Sequence, residues 1–267
     1  MAECLSNVTL VSALYYIGRD KWKHSGFGLG NDRYKWWIPN IMSLNTRLII
    51  FTDEHYYDHL IEIRKKYDPE LKDTKIIKIP LSELEIYQKY YNRISVLMNS
   101  PQFKNEIMYQ GVAEMLYPLY NIIMFNKINF IKQASQLNPF NSSHFYWTDV
   151  GAFRKEIEHY ENIVWPNNPQ YFNDKINFFS HPGWEYVIEN QKWYFMSQSR
   201  VVHGGYFIVP KEKIDFLKEK VDETIEEILN GNYIGSDEKI FDLICKRYPE
   251  NFDLIKSTWF EFYNLCK

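Results

Sequence analysis

Long apolar runs alternate with helical patterns along most of the chain. The apolar runs predict strands at 8–17, 46–54, 74–81, 143–149 and 200–210. The first two have uninterrupted apolar centres, which is typical of strands buried on both faces of a parallel sheet. Pro80 closes the third run and indicates an edge strand, because proline cannot donate to a neighbouring strand.

Apolar residues recur at helical spacing between these runs. This spacing predicts helices over 54–67, 82–98, 105–137 and 211–230, and a shorter one that begins at Ser236 or Asp237. Pro118 is expected to kink or split the third helix. The stretch 18–37 is polar and glycine-rich and predicts a mobile loop, and 160–195 predicts loops. Strands that alternate with helices, without a linker or repeat, predict one α/β domain over residues 1–267.

Composition narrows the class of protein. The 267 residues carry a net charge of −3 with both signs interspersed, which argues against a nucleic-acid partner or a polybasic membrane anchor. The three cysteines lie far apart and predict reduced thiols in the cytoplasm. We expect no signal peptide and no transmembrane segment. Aromatic residues form 18% of the chain, which reflects either compositional bias or the stacking surfaces of a sugar-binding cleft.

Candidate chemistry begins at the segment "HFYWTDVGAFR", residues 144–154, where Asp149 follows an apolar strand and precedes Gly151. Asp149 either caps a helix over 152–159 or holds a metal ion or phosphate at the carboxyl end of the sheet. Asp53 and the pair Asp237 and Glu238 also stand at predicted element ends. Each is an ordinary capping position, but Asp53 and Asp149 should face one crevice, because parallel strands end at one edge.

Four segments in this order resemble the HtrL/YibB family, also labelled WlaTC-like: "SALYYIGRDKW", "LIIFTD", "LNPFNSSHFYWTDVG" and "HGGYFIVP". That family is similar in pattern to nucleotide-sugar glycosyltransferases of the GT-A type. The resemblance implies a GT-A-like, Rossmann-like domain whose mixed, mostly parallel sheet is flanked by helices. It also implies an aspartate that holds a divalent metal against the donor diphosphate, a glycine-rich strand, and an acidic helix start beside the acceptor.

Asp149 matches the metal-binding aspartate of that pattern, and Gly151 stands where many GT-A enzymes have a second aspartate. One carboxylate with two phosphate oxygens and waters would hold Mn²⁺ or Mg²⁺ only weakly without donor. Many relatives also use a late histidine as a metal ligand, and no histidine follows His203. A divalent cofactor is therefore an uncertain expectation.

Other residues are candidates for binding the donor. Gly204 and Gly205 either let the chain approach the sugar closely or form a β-bulge. The candidates for the diphosphate are Arg19, Lys127, Lys132 and Arg200, and those for the base and ribose are Tyr15, Tyr16 and Asp53.

These features predict transfer of a sugar from a nucleotide-diphosphate sugar, a UDP-sugar being favoured, to a hydroxyl of a glycan, lipid-linked or protein acceptor. Asp237 or Glu238 would position or deprotonate the acceptor. A non-catalytic carbohydrate-binding or scaffolding protein is the alternative, and it would not bind nucleoside diphosphates. A Mg²⁺-dependent nucleotidyltransferase is the weaker enzyme alternative, because only one glycine follows the first strand.

Overall fold

The computed structural model describes residues 7–22, 31–107, 111–181, 187–197, 202–258 and 261–266. In these residues seven strands form one mixed sheet. The strands are β1 (Val8–Leu14), β2 (Leu48–Thr52), β3 (Thr74–Lys78), β4 (His144–Thr148), β5 (Ile176–Ser180), β6 (Val202–Pro210) and β7 (Phe252–Lys256).

The strand order across the sheet is β3-β2-β1-β4-β6-β5-β7. Strands β1 to β4 are mutually parallel, β6 is antiparallel to both of its neighbours, and β5 and β7 are parallel. The mixed, mostly parallel sheet predicted from the sequence is thus confirmed, with β3 at one edge. The glycine pair of β6 lies where its register against β5 shifts, since Ser180 pairs with Val202 instead of Gly205.

Helices cover both faces of this sheet. They are α1 (Asn31–Met42), α2 (Glu54–Arg64), α3 (Glu85–Asn99), α4 (Pro101–Glu106), α5 (Ala113–Leu116), α6 (Pro118–Phe125), α7 (Lys127–Leu137), α8 (Gln191–Met196), α9 (Ile214–Asn230), α10 (Asp237–Arg247) and α11 (Phe262–Leu265). None of the described helices is long and apolar enough to cross a membrane.

Alternate side chains of the central strands enter two separate cores. Val11 packs in the core beneath α3, α7, α9 and α10, whereas its neighbour Leu10 packs in the core beneath α1, α2 and α11. In β4, Trp147 enters the first core and Tyr146 the second. Both faces are therefore apolar, which explains why these strands are continuous hydrophobic runs in the sequence.

Several predicted elements differ from the observed ones. The long helix over 105–137 is divided into α5, α6 and α7, and the first break falls before Pro118, as expected from the restricted backbone that precedes proline. The predicted helix over 152–159 is wrong, because this stretch forms two short 3₁₀ turns, Val150–Ala152 and Ile157–His159. The segment predicted as loops contains β5 and α8, and the polar stretch after β1 contains the start of α1.

A buried arginine ties α2 to the chain that leads into β2. Arg64 donates to the carbonyl oxygens of Met42, Leu44 and Thr46 at 2.6, 2.8 and 3.0 Å, and to Thr74 Oγ1 at 2.7 Å. Its side chain is almost fully buried. These acceptors have no water to replace the guanidinium, so the arginine fixes the α1–β2 connection beside the sheet.

We expect Arg64→Met to destabilise the protein by about 3 kcal/mol or more, because it leaves several buried carbonyl groups without a donor. Urea unfolding followed by circular dichroism measures the loss. The control is Arg93→Met, which removes a half-exposed arginine paired with Glu226 at 3.0 Å and should cost less than about 1 kcal/mol. Equal losses in the two variants would contradict this role of Arg64.

Candidate functional site

A cleft of about 280 Å³ opens at the carboxyl ends of β1 and β4, beside the start of β6. It lies where open α/β sheets bind their ligands. Nine residues predicted from the sequence line it together: Tyr15, Arg19, Lys127, Asp149, Gly151, Gly204, Gly205, Asp237 and Glu238. Five separate stretches of the chain therefore converge on one site.

The floor of the cleft is held by a buried ammonium group. Lys127 Nζ, at the start of α7, lies 3.1 Å from Asp149 Oδ1 and 2.7 Å from Asp237 Oδ2. It also donates to the carbonyl oxygen of Gly204 at 2.8 Å. The lysine side chain is 1% exposed, whereas that of Asp149 is 34% exposed. One cation thus joins α7, β6, α10 and the end of β4.

The pKa values of this group reflect its burial and its charges. Burial alone would lower the pKa of Lys127, but Asp149 and Asp237 outweigh it and raise the pKa above its usual value. Burial raises the pKa of Asp149, and Asp237 raises it further, while Lys127 acts in the opposite direction. The lysine therefore remains charged, and the cleft has a fixed positive centre.

Asp149 does not cap a helix. Its carboxylate makes no capping hydrogen bond to the 3₁₀ turn that follows, and instead accepts from Trp147 Nε1 at 2.9 Å and faces Lys127. The capping interpretation of the sequence is therefore wrong for this residue. The carboxylate is oriented by the network and presents its exposed part to the cleft.

Asp237 and Glu238 lie in the first turn of α10, yet both are about 95% buried. They fit against β6 because Gly204 has no side chain: a Cβ there would lie 2.9 Å from Asp237 Cγ and 3.0 Å from Glu238 Cγ. The glycine is therefore required by the acidic pair itself. Close approach between β6 and α10 places both carboxylates in the cleft.

Three arginines also line the cleft. Arg19, Arg33 and Arg154 line the cleft, and Arg154 donates from Nε to the carbonyl oxygen of Gly151 at 2.7 Å. Burial lowers the pKa of Arg154, Asp149 raises it, and the positive charges of Arg33 and Arg19 lower it further. Clustered guanidinium groups form a site suited to a phosphate or carboxylate.

Arg19 is held in place by aromatic neighbours. Its guanidinium lies 5.1 Å from the centre of the Trp22 ring and 5.8 Å from that of Tyr120, and Nη1 donates to Tyr34 Oη at 2.6 Å. Its position is therefore fixed before any ligand arrives.

Three buried polar atoms of the cleft have no hydrogen-bond partner among the described residues. They are Tyr15 Oη, Arg19 Nε and Ser236 Oγ. A buried polar group without a partner costs free energy, so such atoms need water or a ligand. Their concentration in one cleft marks it as a binding site.

Tyr16 and Asp53 lie beside the cleft but do not line it. The Asp53 carboxylate accepts from the backbone amides of Tyr16 at 2.7 Å and His55 at 3.1 Å, which caps α2 and ties it to the end of β1. Their contact with a base or ribose stays a prediction. Lys132 pairs with Asp215 at 3.1 Å, and Arg200 falls outside the described residues.

Several residues of the cleft were not singled out from the sequence. Arg33 and Trp37 belong to α1, which was predicted as part of a mobile loop, and Arg154 stands within the "TDVGAFR" segment without any feature of its own. Glu114 and Tyr120 come from the broken helical region. One signal in the sequence could have predicted α1: a glycine-rich stretch is followed by an aromatic-rich segment with helical spacing.

The residues around Asp149 do not fit a divalent cation well. Among the described residues, no three His, Cys, Asp or Glu side chains are arranged to hold a metal ion. A side chain at Gly151 would place its Cβ 3.1 Å from the Trp37 ring. His203 does not line the cleft; its ring makes an edge contact with that of His181, and burial lowers the pKa of His203 to about 4.

We expect Gly204→Ala to destabilise the protein by about 1–3 kcal/mol, because the added methyl overlaps the Asp237 carboxylate. A double-mutant cycle with Asp237→Ala, measured by urea unfolding, isolates this contact. The loss in the double variant should be smaller than the sum of the two single losses. Strict additivity would contradict the close approach of β6 and α10.

Comparisons with known proteins give a family. No curated protein matches the chain. One similar solved structure is a 4-diphosphocytidyl-2C-methyl-D-erythritol synthase from Anaerococcus prevotii DSM 20548, with 8% identity, coverage of 99% of this chain and 94% of that chain, and a TM-score of 0.45. Another is a glycosyltransferase involved in glycosylation of the major capsid of PBCV-1, with 12% identity, coverage of 94% and 82%, and a TM-score of 0.40. The model of the family described as "Bacterial protein of unknown function (HtrL_YibB)" matches residues 6–267, so the chain belongs to the HtrL_YibB family.

Proposed function

We propose that the protein is a glycosyltransferase of the GT-A type. It moves a sugar from a nucleotide-diphosphate sugar, with a UDP-sugar favoured, to a hydroxyl of a glycan, lipid-linked or protein acceptor. The three features that characterise this enzyme type in sequence are an aspartate after a buried strand, a glycine-rich strand and an acidic helix start. In this chain, Asp149, the pair Gly204–Gly205 and the pair Asp237–Glu238 surround a single cleft.

The observation that carries the proposal is that guanidinium groups and nearly buried carboxylates line the same cleft. One wall has the clustered guanidinium groups of Arg19, Arg33 and Arg154, and the floor has two nearly buried carboxylates beside the charged Lys127. A nucleoside diphosphate needs donors that neutralise its phosphates, and a hydroxyl acceptor needs a carboxylate. The cleft offers both.

Tyr15 and Ser236 extend this arrangement toward the donor. Their hydroxyl groups are the partnerless polar atoms of the cleft noted above, and each can donate to or accept from a sugar or phosphate oxygen. The exposed part of the Asp149 carboxylate can accept from sugar hydroxyls, because Lys127 balances its charge. These residues would bind and orient the donor.

In the reaction, the acceptor oxygen forms a bond to the anomeric carbon while the bond from that carbon to the diphosphate oxygen breaks. The leaving diphosphate takes the bonding electron pair, and the guanidinium groups stabilise its charge. The acceptor proton passes to a carboxylate of Asp237 or Glu238. For a retaining reaction the same carboxylates would position the acceptor instead.

We expect UDP or another nucleoside diphosphate to raise the melting temperature of the protein. At about 100 times the dissociation constant, a ligand adds about 2.7 kcal/mol of stability. Arg19→Met should weaken this binding at least tenfold, because it removes a charged partner of the phosphates. The matched control is Arg93→Met, which lies far from the cleft and should bind like the wild type.

If no nucleoside diphosphate or nucleotide sugar stabilises the protein, the glycosyltransferase proposal fails and the non-catalytic carbohydrate-binding alternative takes its place. If Arg19→Met binds as tightly as the wild type, the arginine wall is not the diphosphate site.

We expect Glu238→Gln and Asp237→Asn to separate the two buried carboxylates by their roles. The variant that lacks the general base should transfer sugar about 10²- to 10⁴-fold more slowly than the wild type and should retain donor binding. Release of nucleoside diphosphate from the donor, with alkyl glycosides as acceptors and with water alone, measures this loss. Because Asp237 pairs with Lys127, its variant should also lower the melting temperature, whereas the Glu238 variant should change it less. Unchanged transfer in both variants would contradict the placement of the acceptor.

A further inference from the structure

We infer that the ammonium group of Lys127 takes the place of a divalent cation in this cleft, so that donor binds without a metal ion. The inference about the cation position rests on the contacts of Lys127 alone. Its consequence for the donor rests on the proposed function. In this inference, Lys127 of the chain itself takes the role of the divalent metal ion that was an uncertain expectation from the sequence.

The contacts of Lys127 are those that a cation in this position would make. Its Nζ lies within 3.3 Å of both Asp149 oxygens, 2.7 Å from Asp237 Oδ2 and 2.8 Å from the Gly204 carbonyl oxygen. These are carboxylate and carbonyl oxygens, the hard ligands that Mg²⁺ and Mn²⁺ also prefer. The oxygens that could bind a metal ion therefore already surround one positive charge.

Lys127 cannot easily leave this position. An ammonium group has three protons, and three acceptor residues converge on it. Its side chain is 1% exposed, and that of Asp237 is 6% exposed. Removal of the ammonium would leave buried carboxylates without a counter-charge, which is strongly destabilising. A metal ion would have to displace this group before it could bind both aspartates.

The second metal ligand of the usual pattern is also blocked. The Trp37 ring lies against Gly151, so that a Cβ at this position would approach two ring atoms to 3.1 Å. The ring is itself covered by Arg154, whose guanidinium lies 5.0 Å from the ring centre. An arginine and a tryptophan thus occupy the region in which a second carboxylate would act.

Charge neutralisation of the diphosphate consequently falls to the arginine wall. Arg154 connects the arginine wall to the segment of Asp149 and Gly151, because it contacts the Trp37 ring and donates to the carbonyl oxygen of Gly151. The negative charge of Asp149 raises the pKa of Arg154. Guanidinium groups bind phosphate oxygens in a bidentate manner and are always charged. Lys127 offsets part of the negative charge of the two aspartates, and the arginines bind the diphosphate.

The first experiment measures Mn²⁺ binding to the wild-type protein by electron paramagnetic resonance of free Mn²⁺, with and without UDP. A parallel measurement compares the dissociation constant of UDP in EDTA and in Mn²⁺. We expect no stoichiometric uptake of Mn²⁺ by the protein and a UDP dissociation constant that changes less than twofold. Uptake of one Mn²⁺ per chain that is lost in Asp149→Asn would overturn the inference.

The second experiment removes the ammonium with Lys127→Met, which retains an apolar stem of similar length. With Asp149 and Asp237 left facing each other, we expect this variant to gain Mn²⁺ binding at least tenfold over the wild type and to be stabilised thermally by Mn²⁺. The control, Lys132→Met, removes a half-exposed lysine of the same helix and should bind no Mn²⁺. The double variant Lys127→Met/Asp237→Asn should lose the gained site.

The outcomes separate the two proposals. If neither UDP nor any other nucleoside diphosphate or nucleotide sugar binds in EDTA or in Mn²⁺, the glycosyltransferase proposal fails, and the Mn²⁺ titration still decides the cation position. If UDP binds only with Mn²⁺ in the wild type, the proposed function stands and the role of Lys127 is refuted. Should Lys127→Met fail to fold, the wild-type titration gives the decision by itself.

Discussion

The arrangement of the cleft depends on the ion pairs of Lys127 with Asp149 and Asp237. A charged group in a protein interior is tolerated only with partners that compensate its desolvation, and here each partner needs the other. The two carboxylates come from the end of β4 and the start of α10, and the carbonyl oxygen of Gly204 adds a contact from β6. The pairs thus fix how three elements meet around one point.

The neighbouring residues follow from this constraint. Gly204 lacks a side chain because the carboxylate of Asp237 occupies the space that a Cβ would fill, and the register shift of β6 against β5 occurs at the same place. The register shift agrees with the bulge interpretation of the glycine pair, and the close approach at Gly204 is to the acidic first turn of α10. A close approach of the glycines to the donor sugar stays a prediction.

The cleft concentrates charged side chains, although acidic and basic residues are nearly equal in number over the whole chain. A net charge of −3 indicates no affinity for any charged ligand, yet three arginines meet on one wall, and nearly buried carboxylates lie on the floor. Such local fields decide which ligand binds, because burial strengthens each charge relative to its effect in water. In the proposed reaction, the arginines bind the leaving group and the carboxylates bind the acceptor.

The sequence by itself determined five of the seven described strands, all but β5 and β7, and nine of the residues that line the cleft. Continuous apolar runs gave β1, β2 and β4, because strands buried on both faces need apolar side chains at every position, and parallel strands end at one edge. Asp53 and Asp149 were therefore expected in one crevice, but only Asp149 lines it. The place of Asp237 and Glu238 beside the acceptor came from the resemblance to GT-A enzymes. The short helix α1 escaped prediction because its glycine-rich start and Pro39 hide the helical pattern.

Only the tertiary structure decided what these residues do there. Whether Asp149 caps a helix or faces a ligand depends on the chain that follows, which forms 3₁₀ turns, and on Lys127, which is distant in sequence. The pairing of Lys127 with Asp237 joins residues 110 positions apart, and no local pattern records it. Hydrophobic periodicity reports which face of an element is buried, but charge pairing arises when separate elements pack, and it leaves no period in the sequence.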